Sequence, residues 1–84
     1  MNELELLKSR IKYRSSYRGT KEMDILMSSF VKAVVEKLSF EDLKDLNNFV
    51  NLSDEDIYSY YRNKKEIKNF KNKKILDLFK NFKI

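Results

Sequence analysis

The chain lacks cysteine, histidine and proline, and its 84 residues include a single glycine, Gly19. Without cysteine it can form neither a disulfide nor a thiolate metal site. Without histidine it lacks the commonest general base and the commonest metal ligand. These absences remove the residue types that acid–base and metal chemistry use most often. The single glycine, Gly19, is the one position where the backbone has unusual conformational freedom.

Long apolar runs are also absent, since charged residues make up 37% of the chain. No uncharged run approaches the ~20 residues that span a bilayer, so we expect no membrane insertion. The N-terminal sequence MNELELLK is acidic and periodic, unlike a secretory signal or a transit peptide. We therefore expect a soluble protein of a reducing compartment, most simply the cytoplasm of a bacterium.

Apolar residues recur at helical spacing along nearly the whole chain. Ser39 and Ser53 are each followed three residues later by an aspartate, which resembles a capping box and predicts the start of a helix. Residues 63–74 are polar and rich in lysine, and form either a loop or a frayed helical extension anchored by Ile67 and Phe70. The apolar stripes comprise Leu4, Leu7 and Ile11; Met23, Leu26, Met27, Phe30, Val31, Val34, Val35 and Leu38, the most buried; Phe40, Leu43, Leu46 and Val50; Ile57, Tyr60 and Tyr61; and Ile75, Leu78, Phe79 and Phe82.

These patterns predict an all-α fold. No segment alternates with the period of two that is typical of strands, and no Gly/Pro turn marks a hairpin. The length allows one domain over residues 1–84, with residues 62–84 as its lysine-rich C-terminal part. We therefore expect a small five-helix bundle.

Gly19 falls where the first helix must end and the second begin. It serves there either as a left-handed residue after the helix or as a tight entry into the next helix without Cβ strain. Arg10, Arg14 and Arg18 are spaced four apart, so a helix would align them as a ridge that ends at the glycine. That ridge is either a binding surface or a solvated face, and spacing alone does not decide between them.

The stretch RIKYRSSYRGTKEMDILMSSF, residues 10–30, resembles the signature region of the SdhE/Sdh5 family, the succinate dehydrogenase assembly factors. The family's Arg-Gly-x-x-Glu motif is matched by Arg18, Gly19 and Glu22, and the acid that follows it by Asp24. The chain departs from the family pattern at several positions. Tyr17 stands where a second arginine is common, Thr20 where a methionine often occurs, and Tyr60 where many members have tryptophan. In addition, NKKEIKNFKNKK replaces the glycine and proline usual after the fourth helix.

The resemblance implies a five-helix bundle that binds the flavoprotein subunit of succinate dehydrogenase, and in some bacteria that of fumarate reductase. Family members promote the bond between a histidine of the flavoprotein and FAD. Because the histidine and the flavin belong to the partner, we expect no enzyme activity, no catalytic residue, and no metal or cofactor of the chain's own. We also expect a monomer when the chain is free.

The expected partner-binding residues follow from the same resemblance. Gly19 would offer a surface without a Cβ atom, and Arg18 a forked donor for carbonyls or carboxylates of the partner. Glu22, in the first turn of the second helix, would bond to a partner amide or base. The full set is Arg10, Arg14, Arg18, Gly19, Glu22 and Asp24.

The charge distribution favours one alternative function. Residues 62–84 carry nine Lys/Arg and two Asp/Glu, a net charge of +7, whereas residues 23–61 carry three and eight, a net charge of −5. A basic segment of this kind can bind the phosphates of RNA or DNA, or it can simply keep the chain soluble. The lysines are scattered and no helix-turn-helix or RRM pattern is present. A small basic nucleic-acid-binding protein is thus the alternative, and we do not expect a nucleic-acid partner.

Overall fold

Five helices account for most of the chain. The computed structural model describes residues 2–83 and contains no strand within them. The helices are α1 (Glu3–Ser16), α2 (Lys21–Val34), α3 (Phe40–Val50), α4 (Asp54–Asn63) and α5 (Lys73–Lys80). α1 packs against α2 and α3, and α5 contacts α3 and α4. The prediction of a small all-α fold is confirmed. No helix within residues 2–83 combines the length and apolar character needed to cross a membrane.

Each helix begins at a polar residue whose side chain accepts a backbone hydrogen bond. Ser39 accepts from the N–H of Asp42 and Ser53 from the N–H of Asp56, both at 3.2 Å. These contacts satisfy amide donors that have no partner within the helix. The predicted starts of α3 and α4 are therefore confirmed. The same role is filled at the other three helices by Asn2, Thr20 and Asn72.

Three phenylalanines from helices distant in sequence meet in the core. Phe30 of α2, Phe49 of α3 and Phe79 of α5 are fully buried. The ring centroid of Phe79 lies 4.9 Å from that of Phe30 and 5.0 Å from that of Phe49, with the rings edge to face. This geometry suits the aromatic quadrupole and joins three helices at one point. The prediction that α2 is the most buried helix is confirmed, since it contributes Met23, Leu26, Met27, Phe30, Val31 and Val34 to the core.

Two residues predicted on buried faces are instead partly exposed. Phe40 and Leu78 each expose 39% of their surface. Phe40 is the first residue of α3, and the ammonium of Lys44 lies 5.3 Å from its ring centroid. In the short helix α5, Ile75 and Phe79 define the buried face, and Leu78 is rotated about 100° away from Phe79.

The lysine-rich connection between α4 and α5 is a loop anchored by the two apolar residues predicted for that role. Ile67 and Phe70 are buried, at 6% and 8% exposure. The ring centroid of Phe70 lies 5.2 Å from that of Phe49 in the core. At the end of the loop, the side-chain amide of Asn72 donates to Asp42 and Asp45 of α3, at 3.1 and 2.7 Å. The loop is therefore attached to the bundle at several points, while its lysines face solvent.

The end of α4 shows why this chain can lack the glycine expected after it. Lys64 adopts a left-handed conformation, with φ 58° and ψ 25°, and is the only non-glycine residue with positive φ in residues 2–83. Its N–H donates to the carbonyl of Tyr60 at 3.2 Å, and that of Lys65 to the carbonyl of Ser59 at 3.3 Å. This is a left-handed helix ending, in which the N–H of the left-handed residue bonds to the carbonyl four residues back and a lysine occupies the position that usually favours glycine.

We expect Lys64→Gly to stabilise the protein. The left-handed conformation costs an L-residue about 1–2 kcal/mol, and glycine would remove this cost. Part of the gain is offset because glycine has greater conformational entropy in the unfolded chain. The net gain should be about 0.5–1 kcal/mol in the free energy of unfolding by urea. Lys65→Gly is the matched control, because residue 65 does not have positive φ. An equal change in both variants would contradict the assignment of strain to Lys64.

Candidate partner-binding corner

The connection between α1 and α2 lies against the turn between α3 and α4. We call residues 17–24, with the facing residues 51–54, the Gly19 corner. α1 ends at Ser16, the next residue, Tyr17, is no longer helical, with φ −122° and ψ 71°, and Thr20 caps α2. Gly19 does not have positive φ, so the left-handed alternative predicted for it is wrong. The reason for a glycine here must be close contact.

Gly19 allows a carboxylate to approach the backbone. Its N–H donates to Oδ2 of Asp54 at 3.0 Å. A Cβ atom at residue 19 would lie 3.1 Å from the same oxygen, closer than an ordinary van der Waals contact. The rest of Gly19 is exposed. The corner therefore presents a stretch of backbone that no side chain covers on its outer side.

Arg18 points into the protein. Its side chain is only 2% exposed. The guanidinium donates to the carbonyls of Val50, Leu52 (3.0 Å) and Arg14 (3.3 Å) and to the carboxylate of Asp54 (2.8 Å). The first two carbonyls lie at and just beyond the end of α3, where helix carbonyls lack partners and a positive charge is favourable. Arg18 thus links the end of α1, the end of α3 and the start of α4.

This orientation corrects the predicted arginine ridge. α1 ends at Ser16, so Arg18 lies outside the helix that would have aligned it with Arg10 and Arg14. The chain turns at Tyr17, and the Arg18 side chain turns inward instead of continuing the row. Of the three arginines in the predicted ridge, Arg10 and Arg14 are exposed on α1 and Arg18 is not.

Asp54 joins Arg18 to Gly19. Its Oδ1 lies 2.7 Å from Nη2 of Arg18, while its Oδ2 accepts the N–H of Gly19. Burial raises the pKa of Asp54, but the Gly19 N–H and the Arg18 guanidinium outweigh burial and hold the pKa below its ordinary value of 3.8. The carboxylate is therefore ionised at neutral pH and balances the buried guanidinium.

The two acids of the first turn of α2 have different environments. Asp24 accepts a hydrogen bond from the backbone N–H of Arg18, which fixes the entry into α2. Glu22 is exposed and makes no hydrogen bond or ion pair with any part of residues 2–83. Both acids are favoured at the N-terminus of a helix by its dipole. Only Glu22 has its carboxylate free for another molecule.

Two shallow grooves meet along α1. The first is lined by Arg10, Arg14 and neighbouring residues of α1 and α3. The second, at the corner, is lined by Arg14, Arg18 and Gly19 and by the α3–α4 turn. Arg14 borders both grooves, and its Nε donates to Oδ1 of Asn51 at 3.0 Å. Of the predicted residues, Arg10, Arg14, Arg18 and Gly19 therefore line one continuous surface, and Glu22 and Asp24 lie beside it on α2.

Sequence reasoning missed the partner of Arg18. Asp54 lies in the first turn of α4, a position that the helix dipole by itself explains. Its second role, pairing with an arginine 36 positions away, left no local signal. Asn51, which holds Arg14, was missed for the same reason. Partner binding by the six residues stays a prediction.

Comparisons with known proteins find matches to one family. A family model described as "Sdh5: Flavinator of succinate dehydrogenase" matches residues 9–83. The chain is 33% identical over 67 residues to the mitochondrial succinate dehydrogenase assembly factor 2 of Dictyostelium discoideum, covering 80% of this chain and 48% of that protein. It is 34% identical over 56 residues to the FAD assembly factor SdhE of Acetobacter pasteurianus, covering 67% and 51%.

The matches cover the relatives only in part. The chain spans about half the length of these curated relatives. A third, the assembly factor 2 of Schizosaccharomyces japonicus, is 42% identical over 53 residues, which cover 63% of this chain and 37% of that protein. No solved structure matches the chain significantly.

Removing the charge of Asp54 should destabilise the protein more than removing that of a nearby acid. Asp54→Asn leaves the buried Arg18 guanidinium without its counter-ion, and we expect a loss of about 2 kcal/mol in the free energy of unfolding. Asp56→Asn is the matched control, since Asp56 lies in the same first turn of α4 but is exposed. Equal losses in urea unfolding would contradict the role given to the ion pair.

The difference in stability between wild type and Asp54→Asn should depend on pH. Because the fold lowers the pKa of Asp54, its stabilising effect is complete above the ordinary value of 3.8 and is lost as the pH falls through the folded pKa. The stability difference between wild type and Asp54→Asn should therefore hold from about pH 7 to 5 and shrink below about pH 4. A difference that stays constant in acid would show that Asp54 contributes through shape and not through charge.

Proposed function

Because the chain belongs to the Sdh5 family of succinate dehydrogenase flavinators, we propose that it binds the flavoprotein subunit of succinate dehydrogenase and promotes covalent attachment of FAD to that subunit. The flavoprotein of fumarate reductase is the second partner we propose. In this role the chain acts by binding and contributes no catalytic residue. Its lack of histidine and cysteine agrees with such a role.

The exposed backbone at Gly19 is the observation that carries this proposal. A surface without a side chain lets the backbone of another protein come close, and the Arg18–Asp54 pair fixes its shape before the partner arrives. Binding to a preorganised surface avoids the entropy cost of ordering it. Glu22, with no partner of its own, lies within the same turn of chain and can accept from a partner amide.

The contacts divide the six predicted residues into two groups. We assign Arg18 and Asp24 to positioning, because their polar groups bond to other parts of the chain. We assign Gly19, Glu22, Arg10 and Arg14 to contact with the flavoprotein, since each retains an exposed surface. The forked-donor role expected for Arg18 thus moves in this proposal to Arg10 and Arg14.

Binding can promote flavin attachment without chemistry on the part of this chain. The histidine and the FAD that are joined both belong to the flavoprotein. A protein that holds the flavoprotein in the conformation where these groups meet raises their effective concentration, and oriented reactants gain large rate factors. The bound chain would stabilise that conformation through the Gly19 corner.

Gly19→Arg tests the proposal, with Gly19→Ala as its matched control. Both variants place a Cβ atom near Asp54, so both require the same small shift of that carboxylate. Only arginine extends a long side chain over the exposed backbone. We expect both variants to fold, Gly19→Ala to support flavin attachment, and Gly19→Arg to lose that support.

The measurement is covalent flavin in the succinate dehydrogenase flavoprotein, detected by in-gel fluorescence in a bacterial strain that lacks its own assembly factor of this family. Circular dichroism of each purified variant verifies the fold. Full support by Gly19→Arg would refute the corner as the docking site. Failure of the wild-type chain, together with binding to RNA or DNA that weakens steeply with salt, would favour the nucleic-acid alternative.

A further inference from the structure

The two most exposed large hydrophobic side chains in residues 2–83 are neighbours on one face. Tyr13 and Tyr17 are 69% and 68% exposed. Their ring centroids are 4.9 Å apart, with the rings tilted by 47°. A paired exposed aromatic surface on a small protein is typical of an interaction site, because tyrosine offers large contact area at low entropy cost. We call Tyr13 and Tyr17 the tyrosine pair.

The tyrosine pair connects the two grooves along α1. Tyr13 lines the groove of about 430 Å³ between α1 and α3, and Tyr17 lines the groove of about 310 Å³ at the Gly19 corner. Arg14 and Asn51 border both. A partner seated on Gly19 that extends along α1 must therefore cross the tyrosine pair.

The polar groups around the pair carry positive charge and free hydrogen-bonding capacity. Within residues 2–83, Arg10 has no ion pair or hydrogen bond, and Arg14 uses only its Nε. The side-chain amide of Asn47, in the same groove, makes no hydrogen bond to the described chain. The one carboxylate that lines either groove is that of Asp54, which is balanced by Arg18.

We infer that the tyrosine pair, flanked by Arg10, Arg14 and Asn47, receives an acidic segment of the flavoprotein's polypeptide chain. This inference rests on the proposed function and identifies the chemistry of its partner surface. Arginine forks bind carboxylates bidentately, and an asparagine amide can both donate to and accept from a peptide backbone. The exposed rings add apolar contact area beside these polar groups. An open surface of this shape suits an extended segment better than a small molecule, which needs enclosure.

Packing within the helix does not explain the pair. Aromatic neighbours at i and i+4 stabilise a helix by a few tenths of a kcal/mol, and both rings leave about two thirds of their surface in water. Tyr58 of α4 provides a contrast. It is 43% exposed, and the guanidinium of Arg62 lies 5.9 Å from its ring centroid. Tyr58 and Arg62 thus form an exposed tyrosine–arginine pair with a similar composition, and neither residue lines either groove.

The test measures the affinity of the purified full chain for the purified flavoprotein subunit, by calorimetry or biolayer interferometry. The variants are Tyr13→Ala/Tyr17→Ala and Arg10→Glu. Their matched controls are Tyr58→Ala and Arg62→Glu. Thermal unfolding should change little in all four, since every substituted side chain is exposed.

We expect the tyrosine-pair variant and Arg10→Glu each to weaken binding by about tenfold or more, as is typical of aromatic and arginine hot spots. Both controls should stay within about threefold of wild type, because charges and rings outside the interface contribute little. A further variant, Arg10→Gln, removes the positive charge of residue 10. Added salt should weaken the binding of the wild type more than that of Arg10→Gln, because only the wild type has this charge to attract an acidic partner.

Each other result has a distinct meaning. If wild type binds, and if the tyrosine-pair variant and Arg10→Glu bind with the same affinity as the controls, the inferred surface is overturned while the proposed function stands. If Arg10→Glu and Arg62→Glu weaken binding equally, the attraction is a general effect of net charge and the inferred surface is again overturned. If wild type does not bind either flavoprotein, the proposed function fails and the inference fails with it.

Discussion

The ion pair between Arg18 and Asp54 determines the geometry of the surface on which function is proposed to depend. The guanidinium of a side chain that is only 2% exposed can be tolerated only when its charge is balanced and its donors are engaged. Here the balance comes from one carboxylate, and the remaining donors satisfy carbonyls at two helix ends. Because that carboxylate must also reach the backbone of residue 19, only glycine fits there without displacing it.

This arrangement separates residues that build the corner from residues that remain available. Arg18, Asp24 and Asp54 direct their charged or polar groups into the chain. Glu22 and Arg10 keep theirs in solvent. A surface whose backbone is held by internal hydrogen bonds, and whose outer polar groups have no partner within the chain, is suited to binding. Association then costs little conformational entropy. The core of phenylalanines joins α2 and α3, two of the helices that border the corner, to α5.

Apolar periodicity and capping residues were sufficient to predict the helices, because both are local properties of the chain. The starts of α3 and α4 at Ser39 and Ser53 are examples. The direction of the Arg18 side chain was not predictable in this way. It depends on α1 ending two residues earlier and on an acid 36 positions away, and neither leaves a pattern at residue 18. The reason for Gly19 was likewise missed, because a close contact with Asp54 has no local signature, whereas a left-handed turn would have had one.

The most direct measurement of docking at the Gly19 corner is hydrogen–deuterium exchange of the chain with and without the flavoprotein subunit. Slower exchange in residues 17–24 on binding, with no change in the lysine-rich loop of residues 64–69, is the predicted result. Unchanged exchange at the corner together with slower exchange in that loop would contradict it, because the partner would then be bound to the basic C-terminal part of the chain.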